Sequence, residues 1–274
     1  MHKAGTNKNG VGIEVTGVSF RYAKAGPDVL RNVSISFLPG HVTALLGPNG
    51  CGKTTLLRLL MGALRDGSNT ITIDSRDIDG ISGRELGTLI AWVPQSEEAT
   101  FPFIVEEYVL MGRAPYLGLL DMPSEKDRHE VGAILAELGI STLARRPMTD
   151  LSGGQQRLVS LARAMSQGTP VVALDEPATH LDMANKTRLL RILRKMADKG
   201  KTVIFSTHDP NEALMIADVV ALIKDRKIMH CGPPEEVMDA KTLGELFGTQ
   251  VAMMKRGGEA LIGPSMALKK QTAK

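Results

Sequence analysis

A glycine-rich segment that directly follows a short apolar run constrains the fold of this chain more than any other feature. The segment reads Gly47-Pro48-Asn49-Gly50-Cys51-Gly52-Lys53-Thr54-Thr55 and matches the GxxxxGK[ST] pattern of a phosphate loop. Residues 42–46 before it have the pattern of a buried strand, and residues 53–61 that of a helix. The glycines let backbone N–H groups turn inward around phosphates, and the helix N-terminus adds a favourable dipole. This order predicts an α/β nucleotide site.

Four residues in two segments supply chemistry for a triphosphate. Lys53 provides a cation for the β- and γ-phosphates, and the Thr54 hydroxyl can bind Mg²⁺. Downstream, the apolar run 171–174 ends in Asp175 and Glu176. One carboxylate at such a strand end can hold Mg²⁺, and the next can polarise an attacking water. Considered alone, the pair could equally be two solvated charges.

A third motif, Leu151-Ser152-Gly153-Gly154-Gln155, precedes a helical pattern and predicts a second anion site by the same physics. The phosphate loop, this signature and the strand 171–174 with its carboxylates, in this order, resemble the ATP-binding-cassette (ABC) ATPase family over roughly residues 11–240. The resemblance implies that two cassettes pair head to tail. Each ATP then lies between the phosphate loop of one copy and the signature of the other.

The resemblance also assigns catalytic roles. It implies that Asp175 is the metal residue and Glu176 the general base. Gln95 matches the family's glutamine that contacts Mg²⁺ or the attacking water and moves with the helical insert. His208, after the apolar run 203–205, matches the switch histidine near the γ-phosphate, although a lone histidine after a strand is usually structural.

Three positions keep an alternative interpretation or carry no assigned chemistry. Tyr22 matches the aromatic that stacks on adenine, and its alternative is a core aromatic of a hairpin. Cys51 is either a small residue of a backbone-built loop or a redox-sensitive thiol whose pKa the helix N-terminus lowers. His180 is a variant to which we assign no chemistry. By resemblance, the residues that contact ATP are Tyr22, Gly47, Pro48, Asn49, Gly50, Cys51, Gly52, Lys53, Thr54, Thr55, Ser152, Gly153, Gly154, Gln155 and Asp182, the last in the loop that crosses to the partner cassette.

Composition excludes several classes of function. The 33 basic and 30 acidic residues give a net charge of +3, which indicates no nucleic-acid footprint. The two cysteines cannot form a disulfide framework, which favours a reducing, cytosolic compartment. No stretch approaches 18 consecutive apolar residues and no secretory pattern opens the chain, so we expect no membrane span of its own.

The fold class that follows is α/β: a P-loop NTPase ABC cassette with a RecA-like α/β core, an N-terminal antiparallel β part and a helical insert. We expect the ABC ATPase domain at 11–248, with the insert at about 100–155, a flexible N-terminus at 1–10 and a C-terminal hairpin and tail at 249–274. Residues 70–95 have the pattern of further strands. Helical patterns are predicted at 105–111, 125–138, 155–165, 183–199 and 210–217.

Residues 101–118 resemble the ATPase subunits of prokaryotic importers for metal chelates such as ferric siderophores, haem and cobalamin. In such systems this region forms a groove for a short cytoplasmic helix of the permease. Val105, Val109 and Leu110 could line that groove or be plain core. The alternative function is a soluble, non-transport ABC ATPase that acts on DNA or ribosomes. That class usually shows coiled coils, zinc-binding cysteines or two cassettes in tandem, and this sequence has none of them.

The expected partners follow from the importer interpretation. They are a second copy of the chain in an ATP-sandwich homodimer, integral-membrane permease subunits and, indirectly, a periplasmic or extracellular substrate-binding protein. Nucleic acid is not among them. The expected cofactors are ATP and Mg²⁺. The expected location is the cytoplasmic face of the cell inner membrane, where the permease would hold this subunit peripherally.

Overall fold

A computed structural model gives the architecture of the chain. It describes residues 10–23, 25–65, 70–95, 101–118, 120–179, 181–256 and 259–265. The expected flexible start up to residue 9, His180, the hairpin turn at Gly257–Gly258 and the basic end from 266 onwards lie outside the described residues. Within the described ranges, no helix has the length and apolar character needed to cross a bilayer.

The strands run, in chain order, as β1 (Ile13–Phe20), β2 (Leu30–Phe37), β3 (Val42–Leu46), β4 (Thr70–Ile73), β5 (Arg76–Asp77), β6 (Ile90–Val93), β7 (Val171–Leu174), β8 (Thr202–Thr207), β9 (Val219–Lys224), β10 (Lys227–Gly232), β11 (Val251–Arg256) and β12 (Glu259–Pro264). The α-helices are α1 (Lys53–Leu60), α2 (Gly83–Leu89), α3 (Val105–Leu110), α4 (Glu125–Glu137), α5 (Gly153–Ser166), α6 (Met183–Asp198), α7 (Pro210–Ile216), α8 (Pro234–Val237) and α9 (Ala240–Phe247). Short 3₁₀ helices lie at Ile78–Gly80, Met111–Tyr116, Ser141–Leu143 and Met148–Asp150.

A central sheet in the order β10-β9-β3-β8-β7-β6 carries the site. Strands β9, β3, β8, β7 and β6 are parallel, and β10 is antiparallel at one edge. The register pairs Leu46 with Thr207 and Leu174 with Phe205, so β3, β7 and β8 end at the same edge. Ligand sites of open α/β sheets lie outside these carboxyl ends. The motifs that follow the three strands therefore meet.

The remaining strands form two antiparallel sheets. One has the order β2-β1-β4-β5, with alternating buried and exposed residues along β1 and β2. The other pairs β11 with β12. This two-stranded sheet is attached to α7, because the Asn211 amide donates to the Ile262 carbonyl at 3.0 Å and accepts from the Ile262 N–H at 2.8 Å.

Two apolar cores lie on opposite faces of the central sheet. On β3, Leu45 joins the core shared with α1, α2 and the four-stranded sheet, whereas Ala44 and Leu46 join the core shared with α3 to α7. Alternate side chains of a strand point to opposite faces. A strand buried on both faces is therefore almost continuously apolar, which explains why Thr43 is the single polar residue of β3 and is itself buried.

The structure corrects one expectation from the sequence and decides between two interpretations that the sequence left open. The strand pattern predicted across 70–95 is interrupted by helix α2, which Ser82 begins by accepting a 3.3 Å hydrogen bond from the Glu85 N–H. A serine three residues before a glutamate is a helix-start signal that the apolar pattern concealed. Val109 and Leu110 are 0% and 5% exposed and belong to the core among α3, α4 and α5, so they do not line a groove.

Candidate functional site

The phosphate loop connects β3 to α1 through two glycines with left-handed backbone angles. Gly50 has φ +77°, and Gly52, which immediately precedes α1, has φ +112°. A Cβ on Gly52 would lie 2.7 Å from Leu30 Cδ2, so glycine is also required there for space. The Lys53 side chain is buried under the loop and donates to the carbonyls of Gly47 at 2.7 Å and Pro48 at 3.1 Å.

A cavity of about 390 Å³ opens over this loop. It brings the predicted loop residues together with Gln95 from the end of β6 and Glu176 from the end of β7. Its lining residues are Val29, Asn49, Gly50, Gly52, Lys53, Thr54, Thr55, Gln95 and Glu176. The signature residues are not among them, so a single chain does not place its own signature over its own phosphate loop.

Both carboxylate oxygens of Asp175 accept hydrogen bonds from hydroxyl groups. Thr54 Oγ1 donates to Asp175 Oδ2 at 2.7 Å, and Ser206 Oγ donates to Asp175 Oδ1 at 2.5 Å. Asp175 is 1% exposed. A hydroxyl beside a fixed carboxylate is the oxygen-rich donor set that suits Mg²⁺, so the residues present fit this ion.

Glu176 lies at the centre of the polar contacts. Its Oε1 is 3.8 Å from Lys53 Nζ, and its Oε2 is 3.1 Å from His208 Nδ1 and accepts from Thr179 Oγ1 at 3.2 Å. Its backbone has φ +45°, the left-handed region that costs a residue with a side chain about 1 kcal/mol. A 2.8 Å hydrogen bond from its N–H to Ser206 Oγ holds this conformation. The geometry thus gathers a carboxylate, a cation and an imidazole.

The signature forms the start of helix α5. Ser152 is the N-cap: its N–H donates to Gln155 Oε1 at 3.0 Å, and its Oγ accepts from the Gln155 N–H at 3.4 Å. This reciprocal pair is a capping box. Ser152 and Gly153 are exposed. The positive end of α5 is therefore presented to solvent, where another molecule can reach it.

Tyr22 and Asp182 lie at the periphery of the site. The Tyr22 ring is 58% exposed, which excludes the alternative of a core aromatic, and its hydroxyl is 3.1 Å from Thr55 Oγ1. Asp182 is the N-cap of α6 and accepts from the Asn185 N–H at 2.8 Å. Both side chains are accessible from outside the phosphate cavity.

Sequence reasoning missed a charged network behind His208. Lys186 on α6 contacts Asp209 at 3.1 Å and Glu212 at 2.6 Å, and Glu212 Oε2 accepts from Thr207 Oγ1 at 2.6 Å. Burial opposes the charge on Lys186, but the hydrogen bonds and charges of Glu212 and Asp209 outweigh it and raise the Lys186 pKa. Lysine four residues after Asp182 is an ordinary helix-surface spacing, so the sequence held no usable signal for this contact.

Cys51 is 6% exposed at the base of the loop. Burial raises the pKa of its thiol, and this outweighs the opposing charge of Lys53. A raised pKa keeps the thiol protonated and unreactive at neutral pH. The environment therefore favours the interpretation of Cys51 as a small packing residue over that of a redox sensor.

Comparison with known proteins places this geometry in a family. The family described as ABC transporter matches residues 30–179. The hemin import ATP-binding protein HmuV of Streptomyces coelicolor is 36% identical, with 87% of this chain and 85% of that protein covered. The cobalamin import ATP-binding protein BtuD of Halobacterium salinarum is 33% identical over 88% of this chain and 60% of that protein.

A solved structure agrees with these relatives. A metal-chelate type ABC transporter in an inward-facing conformation superimposes with a TM-score of 0.81 at 28% identity, and the match covers 94% of this chain and 98% of that one. The fold predicted from the motifs, a P-loop cassette with antiparallel and helical additions, is confirmed. The chain belongs to the ABC transporter ATPase family, whose members bind and hydrolyse ATP.

Proposed function

We propose that this chain is the ATP-hydrolysing subunit of a membrane importer for a metal chelate such as hemin, cobalamin or a ferric siderophore. The observation that carries the ATPase part is a cavity lined by Lys53, Thr54 and Glu176, with the buried Asp175 hydrogen-bonded to Thr54 behind it. The importer part is supported by relatives whose names specify hemin and cobalamin import. The soluble alternative acting on DNA or ribosomes has no such support.

Within the site, each side chain has a separate task. Lys53 offers its ammonium to the triphosphate, and the N–H groups from Gly50 to Thr54 surround it. Thr54 and Asp175 would hold Mg²⁺, with Gln95 in reach of the same cavity. The ion supplies charge neutralisation on the phosphate oxygens. Glu176 accepts a proton from the attacking water, and His208 orients Glu176 through the 3.1 Å contact between Nδ1 and Oε2.

A second copy of the chain would complete each site. The exposed α5 N-terminus at Ser152 and the exposed Asp182 are separated from the chain's own cavity but accessible to a partner. Helix N-termini favour phosphate groups. Two copies arranged head to tail would therefore place one signature over each phosphate loop, and the homodimer is the active unit.

A groove of about 450 Å³ between α2, β6 and α5, here called the insert groove, offers a place for the permease. Apolar side chains dominate its lining, including Leu86, Trp92, Met111 and Pro115, with Arg163 and Gln167 at its polar side. A short amphipathic helix of a permease subunit fits such a groove. Docking there would hold the subunit on the cytoplasmic face of the membrane, with the substrate-binding protein reached only through the permease.

The decisive experiment is reconstitution. We expect the purified chain to hydrolyse ATP with Mg²⁺, to co-purify with its permease and to drive uptake of one metal chelate into proteoliposomes. Hemin, cobalamin and a ferric siderophore are compared as solutes, and DNA and ribosomes as stimulants of the soluble ATPase. Stimulation by DNA or ribosomes without permease binding would replace the importer with the soluble alternative.

A further inference from the structure

Arg157 occupies an unusual position on the signature helix α5. It lies on the same helix face as Leu161 and Ala164, at i+4 and i+7, and this face is buried. Arginine is rarely buried unless its donors are satisfied. Arg157 is only 9% exposed, so its guanidinium is held inside the protein by specific contacts.

Those contacts begin at the loop that follows β7. Arg157 Nη2 donates to the Asp175 carbonyl at 2.5 Å and to the Glu176 carbonyl at 2.7 Å, and Nε donates to the Pro177 carbonyl at 3.1 Å. The guanidinium therefore binds three consecutive carbonyls at the position where Glu176 adopts φ +45°. A left-handed residue persists only where its surroundings hold it.

The third nitrogen of the same guanidinium, Nη1, contacts the loop that follows β6. Nη1 donates to the Gln95 carbonyl at 3.2 Å and to the Pro94 carbonyl. Strands β6 and β7 are parallel neighbours, with Val93 opposite Leu174, so the two loops leave the sheet side by side. One rigid, planar group thus joins the backbone that carries Gln95 to the backbone that carries Glu176.

We propose that Arg157 is a positioning residue that fixes Glu176 and Gln95 of its own chain in the geometry required for hydrolysis. The inference rests on the ATPase function proposed above. It assigns α5 two tasks in two sites: its first residues serve the nucleotide bound by the partner, whereas Arg157 serves the catalytic loops of the same chain. No side-chain atom of Arg157 needs to touch the nucleotide, because it acts through five backbone carbonyls.

Arg157→Lys is the informative substitution. Lysine keeps the positive charge. It replaces the planar guanidinium, whose nitrogens contact both loops, with a single ammonium nitrogen that cannot reach all five carbonyls. A displacement of about 1 Å in a reacting group can lower a rate by about 10²-fold. We therefore expect the turnover number at the affected site to fall at least ten-fold, with the Kd for ATP changed less than three-fold.

Heterodimers assign the effect to one site. In the cis arrangement, one copy carries Arg157→Lys and the other carries Glu176→Gln, so the surviving site uses the catalytic loops of the Arg157 variant. In the trans arrangement, one copy carries both substitutions and the other is wild type, so the surviving site uses only the signature of the variant. The reference heterodimer pairs wild type with Glu176→Gln.

We expect the cis heterodimer to turn over at least ten-fold more slowly than the trans heterodimer. Equal rates in the two arrangements, whether both high or both low, would overturn the inference, because a general structural role of α5 affects both alike. A trans heterodimer slower than the cis heterodimer would overturn it as well, because a role in the signature affects only the trans arrangement. ATP binding is followed by the fluorescence of Trp92, the only tryptophan, which lies two residues before Pro94.

A folding control accompanies these rates. Melting temperatures are measured for Arg157→Lys and for Arg157→Gln, which retains one amide donor. If both variants fail to fold, Arg157 is a stability residue and the inference is overturned. A wild-type chain without ATPase activity would refute the proposed function, whereas an active wild type with equal cis and trans rates refutes only the role of Arg157.

Discussion

Thr54 Oγ1 donates a 2.7 Å hydrogen bond to Asp175 Oδ2 across 121 residues of sequence. Thr54 lies at the start of α1, after β3, and Asp175 directly follows β7. Strands β3 and β7 are not neighbours, because β8 lies between them in the sheet. Ser206 on β8 fills this gap by donating to the other oxygen of Asp175. The hydroxyl–carboxylate pair proposed to hold Mg²⁺ is therefore supported from the intervening strand.

Glu176→Gln should preserve ATP binding and abolish turnover. Glutamine retains the size of the side chain but cannot accept the proton, and a general base contributes about 10²- to 10⁴-fold to a rate. Steady-state ATPase and equilibrium binding of ATP are measured on the same preparation, with size-exclusion chromatography in Mg-ATP to detect an accumulated closed dimer. Hydrolysis at the wild-type rate would remove the assignment of Glu176 as the base.

Ser152→Arg should leave ATP binding by the monomer nearly intact but block ATP-dependent dimerisation and hydrolysis. The reason is geometric, since the signature cap is exposed and remote from the chain's own phosphate cavity. Lys53→Ala, by contrast, should weaken ATP binding itself.

Mixing these two variants provides the test. Their heterodimer keeps one composite site whole and loses both motifs from the other site, so we expect it to regain up to half of the wild-type activity. Gly154→Asp is a second signature variant for the same mixture. Full ATP-dependent dimerisation by the Ser152→Arg homodimer would show that the signature does not serve the partner.

Met111→Glu should abolish association with the permease while leaving the melting temperature and the soluble ATPase unchanged. Met111 is 40% exposed and lines the insert groove, so a charge there opposes an apolar helix without entering the core. Val109→Glu is the matched control. Val109 is 0% exposed, and an unpartnered buried charge costs several kcal/mol, so the helical insert should lose stability. Permease pull-down by Met111→Glu at the wild-type level would place the docking surface elsewhere.

The rate at which Cys51 reacts with iodoacetamide should rise with pH. The midpoint of this rise should lie at a higher pH in the native protein than in denaturant. Burial raises the thiol pKa, so the thiolate fraction at a given alkaline pH is smaller in the folded state. Restricted access lowers the plateau of the curve, whereas the pKa moves its midpoint, and the two effects are thus separable. A Cys231→Ser background leaves one thiol. A native midpoint below the denatured one would revive the redox interpretation.

The sequence predicted the parts of the site whose chemistry is local. A glycine loop between β3 and α1, and carboxylates after β7, are visible because each motif lies on a contiguous segment with a strong apolar pattern. Ser206 and Arg157 were not predicted, since their roles depend on which strands are neighbours and on what a helix face meets. An arginine within the buried face of α5 was the available signal for Arg157.

The same distinction explains one alternative left open and one helix missed outside the site. The apolar residues of α3 fit both a groove and a core, because hydrophobic periodicity shows that a face is covered but not by what. Packing of α3 against α4 and α5 decides the question in favour of the core. Helix α2 was missed because its seven residues bury only Leu86, which leaves little periodic pattern for detection.

At Glu176, the left-handed backbone conformation places the requirement for ATP hydrolysis in conflict with the stability of the fold. Glycine adopts φ +45° without the steric cost that a side chain carries, so Glu176→Gly relieves strain at the same time as it removes the base. The substitution also removes a buried carboxylate next to Asp175. Selection for folding stability alone would therefore disfavour glutamate at this position. The glutamate marks a position where the chain keeps a strained backbone conformation that its catalytic role requires.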